Sequence, residues 1–232
     1  MKLEQYERAV RAVGSICGAC HIKYWLCFGN LLHLVRDGNV DNDHDIDIGI
    51  YYEEMDSVQL PRAFGKYEYE LAKKIKNDVD GKYLYLSFEY KGNRGLPPID
   101  IFAWFKHGDN RYHTYDVNHE GREIPSKYIF KGVPEKFLPT IGQANRADPR
   151  TANMFFGKWN APLLKQEVPV PFYMGTLLDI WYPNWLKPVN MQSISPFTVE
   201  MKSCKQWDDE KYVNEQLAAS AVKYAEERMR LK

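Results

Sequence analysis

The feature that most restricts the fold of this chain is the alternation of aspartate and isoleucine in residues 43–50. A two-residue alternation is typical of a β-strand, in which successive side chains point to opposite faces. The three isoleucines then share one face and pack in a core, while Asp45 and Asp47 share the other. Asp43 joins these two if the strand extends backwards. The chain is therefore expected to build a sheet that carries carboxylates opposite its core.

Carboxylates placed side by side on a strand need a partner for their charge. Two of them about 4 Å apart repel by about 4 kcal/mol at an effective dielectric constant near 20. Protonation of one group relieves this repulsion, and a bound divalent cation does so as well. Asp100 lies between two isoleucines in a second predicted strand, residues 99–104, and is a further candidate. We predict Asp43, Asp45, Asp47 and Asp100 as ligands of Mg²⁺ or Mn²⁺, the last three with catalytic roles, Asp100 also as a proton acceptor.

Two other interpretations of the acidic segment stay open at this point. One is a solvated edge strand whose aspartates are incidental. The other is a calcium loop of the EF-hand type, because Asp43, Asp45, Asp47 and Glu54 occupy its positions 1, 3, 5 and 12. The sixth position of such a loop is a glycine, but Ile48 stands there, which argues against the second interpretation.

A candidate phosphate-binding segment precedes the acidic strand. Residues 22–28 predict a buried strand, and Gly29 and Asn30 follow as a break before a short helix. Glycine at such a turn lets backbone N–H groups approach a phosphate. Arg36, at the end of the short helix, can clamp a phosphate through paired hydrogen bonds. We predict Gly29, Asn30 and Arg36 as substrate-binding residues.

Hydrophobic periodicity predicts the remaining elements. Helices are expected over residues 3–21, 53–76 (with an interruption around Pro61), 176–181 and 209–230, a strand over 82–90, and an extended piece over 168–171. Residues 107–162 show little sustained periodicity. The predicted fold class is α+β, a mixed sheet flanked by helices, with a C-terminal helical segment. We divide the chain into a catalytic core (1–106), an irregular accessory region of the same domain (107–188) and a helical extension (189–232).

Composition limits the partners of the chain. Its 31 basic and 31 acidic residues leave no net field that attracts nucleic acid, so none is expected as a partner. No apolar run is long enough to span a bilayer, and association with a membrane surface is left open. The first residues lack the apolar block of a signal peptide, which predicts a cytoplasmic protein. Cys17 and Cys20 have the spacing of a zinc or redox pair, but without a second pair they are expected to be free cysteines.

Five segments, taken in order, resemble the LicD/fukutin-type phosphotransferase family, which has a nucleotidyltransferase fold. They are residues 24–36, 43–49, 99–102, 168–171 and 177–188. The second is similar to the aspartate-x-aspartate-isoleucine-aspartate core of the family, and the third to its later isoleucine-aspartate-isoleucine-phenylalanine strand. The chain departs from the pattern at residue 30, where asparagine replaces the usual serine or threonine.

The resemblance implies a CDP-activated donor, such as CDP-choline or CDP-ribitol, and a carbohydrate acceptor. Phosphocholine or an alditol phosphate passes to a glycan hydroxyl, and CMP leaves. It also implies that acidic residues of the second and third segments hold the metal, while residues of the first hold the diphosphate. Two alternatives remain: transfer of a nucleoside monophosphate from an NTP to a small molecule or protein, and a non-catalytic binding module of the same fold.

Overall fold

A computed structural model describes residues 2–37, 43–114, 128–138, 141–144, 168–171, 173–182, 185–186, 197–201 and 203–230. The helices of these ranges are α1 (Leu3–Ala19), α2 (Phe28–Leu32), α3 (Gln59–Gly65), α4 (Met174–Trp181) and α5 (Glu210–Arg230). The strands are β1 (Tyr24–Leu26), β2 (Ile46–Tyr51), β3 (Tyr69–Lys76), β4 (Tyr83–Tyr90), β5 (Ile99–His107), β6 (Asn110–Thr114), β7 (Tyr128–Pro134), β8 (Ile141–Ala144), β9 (Val168–Pro171) and β10 (Phe197–Met201). A π-helical turn (His33–Asp37) follows α2 directly.

Within these ranges, eight strands form one mixed sheet in the order β1-β2-β5-β6-β7-β10, with β4 on β5 and β3 on β4. β2 and β5 run parallel, and the other pairs of this sheet are antiparallel. β8 and β9 form a separate antiparallel pair. The α+β class and the mixed sheet flanked by helices are confirmed.

The core lies where the predicted alternation places it. The isoleucines of β2 and the two that flank Asp100 on β5 are all 0 % exposed. Residue 49 is a glycine rather than a larger residue because the indole of Trp25 lies against the backbone there. A Cβ at this position would come 2.5 Å from the ring. The apolar face of β2 thereby fixes the strand, and with it the direction of its carboxylates.

The helix predicted over residues 53–76 is wrong in its second half. Only α3 and a 3₁₀ turn (Tyr52–Glu54) are helical, and β3 occupies Tyr69–Lys76. The lysines of β3 have good intrinsic helix propensity, but the pairing of its backbone with β4 outweighs that preference. Its exposed lysines lie at an outer strand, where charge discourages association with other sheets.

The regions predicted as irregular or helical also contribute strands to the main sheet. β6 and β7 lie in the region that shows little periodicity, and β10 lies in the predicted helical extension. The sheet thus continues across residue 106, whereas the division into three regions stays a prediction. Helix α5 confirms the terminal helix, in which Val213 is fully buried and Ala221 is exposed.

The four cysteines are free thiols. Cys17, Cys27 and Cys204 are buried and Cys20 is half-buried, as expected for small apolar side chains rather than a zinc or redox pair. None of the helices in the described ranges is both long and apolar enough to cross a membrane.

Candidate active site

Three carboxylates converge where the parallel strands β2 and β5 begin. Asp47 and Asp100 are direct partners in the register of the two strands, so their side chains leave the sheet on the same face. Asp45 lies just before β2, two residues from Asp47. One carboxylate oxygen from each of the three lies within 4.8 Å of the others. The predicted convergence of acidic side chains from two adjoining strands is therefore present.

The environment of Asp45 and Asp47 opposes their ionisation. Burial, followed by repulsion from Asp100 and Asp43, raises the pKa of Asp45 from 3.8 to about 7. Burial and the same kind of repulsion raise the pKa of Asp47 well above its ordinary value, although the N–H of Gly29 donates a hydrogen bond to it. Acidic groups held in this unfavourable arrangement are candidates for a functional site.

The donor set fits a hard divalent cation. Three carboxylates from two adjacent strands supply the oxygen ligands that Mg²⁺ and Mn²⁺ prefer, and their mutual repulsion is relieved when a cation lies between them. Both strands are fixed by buried isoleucines, so little rearrangement is needed to present the oxygens together. We regard Asp45, Asp47 and Asp100 as the residues that would hold the metal.

Asp43 adjoins this group through a side-chain hydrogen bond with Asp45 but is not one of the three converging carboxylates. It is 7 % exposed, and its carboxylate accepts hydrogen bonds from the Asn30 side chain and from the N–H of His44. It is not among the three residues whose oxygens lie within 4.8 Å of one another. Its charge still raises the pKa of Asp45 and Asp47. A direct metal bond from Asp43 stays a prediction.

The side chain of Asn30 holds the acidic segment, residues 43–47, in place through hydrogen bonds. Its side chain is fully buried, and Nδ2 donates to the Asp43 carboxylate and, at 2.9 Å, to the carbonyl of Asp45. Its Oδ1 accepts from the N–H of Asp47. One amide group thus connects all three aspartates of this segment and leaves no exposed polar atom. The phosphate contact of Asn30 stays a prediction; in this structure its side-chain hydrogen bonds position the acidic segment.

Gly29 and Arg36 also have partners other than a phosphate. Gly29 is not a break but part of α2, and its N–H bonds to Asp47. A Cβ on Gly29 would come 3.4 Å from the Asp43 carboxylate. Arg36 donates from Nε and Nη2 to both oxygens of Asp37, at 2.6 and 2.7 Å. Their roles in substrate binding stay predictions. For Arg36, binding a phosphate requires that its guanidinium first leaves Asp37.

The sequence did not single out two tyrosines that face the site. Tyr85 on β4 is 4 % exposed and hydrogen-bonds to Asp100 and Ser87. Its hydroxyl orients Asp100 from the side opposite Asp47. Tyr182, directly after α4, is close enough to Asp47 for the carboxylate charge to raise its pKa, together with the larger effect of burial. Alternation along β4 could have identified Tyr85; nothing local identifies Tyr182.

An aromatic cluster supports the segment that carries Gly29. The ring of Phe28 lies 4.8 Å from Trp181, 4.9 Å from Phe102 and 4.9 Å from His113. His113 also contacts Trp104 at 4.3 Å and is 1 % exposed, and burial lowers its pKa to about 3. A neutral imidazole therefore completes an apolar wall beside the acidic group.

Comparison with known proteins identifies the family. The sequence model described as LicD/FKTN/FKRP, nucleotidyltransferase domain, matches residues 21–140, just over half of the chain. The chain is 25 % identical over 159 residues to ribitol 5-phosphate transferase FKRP of Mus musculus and 24 % identical to that of Homo sapiens. Each alignment covers 67 % of this chain and 32 % of the relative, so the chain spans about a third of the length of these proteins.

Two solved structures are similar at low identity. The lincosamide antibiotic adenylyltransferase LnuA, bound to lincomycin, has a TM-score of 0.37 at 12 % identity and covers 68 % of this chain and 75 % of its own. The antibiotic-resistance factor ANT(2'')-Ia has a TM-score of 0.42 at 12 % identity and covers 99 % and 96 %. The family model is the finding that decides the relationship: the chain belongs to the LicD/FKTN/FKRP family and carries its nucleotidyltransferase domain.

Proposed function

We propose that this chain is a divalent-metal-dependent phosphotransferase. It moves a phospho-alcohol group from a CDP-activated donor to a hydroxyl of a carbohydrate acceptor. Membership of the LicD/FKTN/FKRP family and the name of the relative, ribitol 5-phosphate transferase, support this class of reaction and favour an alditol phosphate over phosphocholine. The observation that carries the proposal is the convergence of Asp45, Asp47 and Asp100 within 4.8 Å.

The reaction replaces the phosphoanhydride bond of the donor with a phosphate ester bond to the acceptor. The acceptor oxygen attacks the phosphorus that bears the alcohol, and the bond from that phosphorus to the bridging oxygen of CMP breaks. The acceptor loses a proton, and CMP leaves with the electron pair of the broken bond. Asp45, Asp47 and Asp100 would hold Mg²⁺ or Mn²⁺, which supplies neutralisation of the charge on the diphosphate.

The residues of this chain then have separate tasks. Asp100 is the candidate acceptor of the hydroxyl proton, because the hydroxyl of Tyr85 fixes its orientation from the neighbouring strand. Asn30 holds the start of β2 in place through its bonds to Asp43, Asp45 and Asp47. The buried wall that contains Phe28 and Trp181 limits access of water from one side.

Product analysis tests the proposal. The chain is incubated with CDP-ribitol, CDP-choline or CTP and a mixture of sugar acceptors, with Mn²⁺ or EDTA, and nucleotide products are separated by chromatography. We expect metal-dependent release of CMP from a CDP-linked donor, abolished by Asp47→Asn and unchanged by Asp109→Asn, which alters an exposed aspartate outside the site. Release of pyrophosphate from CTP would favour the nucleotidyltransferase alternative. Metal-dependent donor turnover that survives Asp47→Asn would refute the assigned site.

A further inference from the structure

A row of polar side chains crosses the main sheet on the face that carries the carboxylates. In the register of the strands, Asp47 on β2 pairs with Asp100 on β5, which in turn pairs with Ser87 on β4. Ser87 then pairs with Lys73 on β3. Because paired residues of neighbouring strands point to the same face of a sheet, all four side chains share one side. The row begins at the acidic group and ends, two strands beyond Asp100, at a lysine of the outer strand.

An irregularity in the pairing of β3 with β4 gives Lys73 this direction. Leu71 pairs with Phe88, and the next pair is Lys73 with Ser87, so β3 contains one extra residue, Ala72, between the two pairs. Such a β-bulge reverses the alternation of the residues that follow it, and bulges are frequent next to active sites, where they redirect a side chain. Without the extra residue, Lys73 would point to the face of the buried isoleucines. The bulge turns it to the face of the carboxylates instead.

Lys73 lies within reach of a ligand bound at the acidic group. Neighbouring strands are about 4.8 Å apart, so the backbone of Lys73 lies about 10 Å from that of Asp100. The residue between them in the row, Ser87, is small, and the long side chain of Lys73 is exposed. Lys91 lowers the pKa of Glu89, and the charge of Lys73 adds to this effect from the same side of β4. The ammonium group of Lys73 can therefore approach a phosphate that is held at the carboxylates.

The charge of the acidic group calls for a cation beside the metal. One divalent ion balances two of the three converging carboxylates, so a diphosphate bound there still meets a net negative charge. Lys106 and Arg111 also belong to this face, but they lie about 20 Å further along β5 and both bind Glu135. Lys73 belongs to the row of the carboxylates itself, and an ammonium group is a compact charge that suits a phosphate oxygen.

We propose that Lys73 binds a phosphate group of the substrate held at the carboxylate site, and that this contact raises the affinity for the phosphate-bearing donor. The identity of the donor rests on the proposed function, whereas the contact between Lys73 and a phosphate does not require turnover. Lys73 is a binding residue and takes no part in proton transfer. The composition of residues 69–76 favours a helix, and only the pairing with β4 brings this lysine to the site.

Two neighbouring lysines of β3 form a matched pair for the test. Lys73 and Lys74 are both exposed, but Lys74 pairs with Leu86 and points to the opposite face of the sheet. Isothermal titration calorimetry on the full chain, with Mn²⁺ present, measures the binding of CDP and of inorganic pyrophosphate. We expect Lys73→Ala to weaken the binding of both probes at least tenfold and Lys73→Arg to retain most of it. Lys74→Ala should bind both probes as wild type does.

Three results would overturn the assignment of Lys73. They are undiminished binding in Lys73→Ala, equal weakening in Lys74→Ala, and no saturable binding of either probe by wild type. The probes must also depend on the carboxylates, so Asp47→Asn should weaken their binding. Binding that depends on Lys73 but survives Asp47→Asn would place the phosphate elsewhere and would likewise overturn the proposal.

Turnover separates this proposal from the proposed function. In a working transfer assay, Lys73→Ala should raise the KM for the donor at least tenfold and leave kcat and the KM for the acceptor nearly unchanged. If no CDP-linked donor is turned over while pyrophosphate binding still depends on Lys73, the proposed function fails and the assignment of Lys73 stands. If CMP is released and the KM for the donor is unchanged in Lys73→Ala, the assignment fails and the proposed function stands.

Discussion

Replacing Asp45 by asparagine tests the electrostatics of the site, because the isosteric side chain removes one charge. Unit charges 4.8 Å apart repel by about 3.5 kcal/mol at an effective dielectric constant near 20. A carboxyl whose pKa rises from 3.8 to about 7 costs about 4 kcal/mol once it is ionised. The Coulomb repulsion and the pKa shift thus give energies of the same order of magnitude. We expect Asp45→Asn in EDTA at pH 8 to gain about 2–4 kcal/mol of stability, or on the order of 10 °C in Tm.

The pH dependence has a definite sign. Between pH 3.8 and about 7 the folded state binds the Asp45 proton more tightly than the unfolded chain does. This contribution to stability is therefore complete at low pH and is lost as pH rises through that window. Asp45→Asn should not lose this part of its free energy of unfolding as the pH rises.

Mn²⁺ should remove most of the difference in stability between the two proteins. At a concentration of 100 Kd a cation adds about 2.7 kcal/mol to the stability of wild type, and the shift should be much smaller in Asp45→Asn. Differential scanning calorimetry at pH 5 and pH 8, with EDTA or Mn²⁺, measures both effects. Asp109→Asn serves as the control, with no change in Tm expected. A variant less stable than wild type in EDTA, with an undiminished Mn²⁺ shift, would refute the reasoning.

Three further substitutions test the surroundings of the site by urea unfolding. Asn30→Ala should lower the free energy of unfolding by about 2–3 kcal/mol, because it leaves the buried carboxylate of Asp43 without its amide partner; an unchanged midpoint would contradict the bracing role. Gly49→Ala should cost about 1–3 kcal/mol, since its Cβ would meet Trp25 at 2.5 Å; wild-type stability would show that the indole moves freely. His113 is neutral in the fold with a pKa of about 3, so acidification from pH 7 to 5 should cost wild type about 2 kcal/mol more than His113→Phe; equal losses would contradict that burial.

The parts of the site that could be predicted from sequence are those encoded by alternation along a strand. Alternating aspartate and isoleucine fixed which residues of β2 face the core, and the flanking isoleucines did the same for Asp100. Parallel pairing then brought Asp47 opposite Asp100. The rival interpretations of a solvated edge strand and a calcium loop do not fit a strand that is paired on both sides and buried on one face.

The parts that could not be predicted depend on partners distant in sequence. β3 has the composition of a helix and becomes a strand only through β4. β10 pairs with β7 more than 60 residues earlier in the chain, a pairing that no local pattern encodes. The same holds for side chains: Asn30 binds residues 13 to 17 positions away, and Arg36 binds its neighbour Asp37 instead of an open site. Local propensity does not determine such pairings.

The central claim is that three carboxylates from two strands hold one divalent-cation site. Titration of the chain with Mn²⁺, with the free ion followed by electron paramagnetic resonance, tests it most directly. Wild type should bind Mn²⁺ saturably, Mg²⁺ should compete, and Asp100→Asn should weaken binding at least tenfold although it lies more than 50 residues from Asp45 and Asp47. Asp109→Asn should bind as wild type does. Undiminished affinity in Asp100→Asn, or no saturable binding by wild type, would contradict the account.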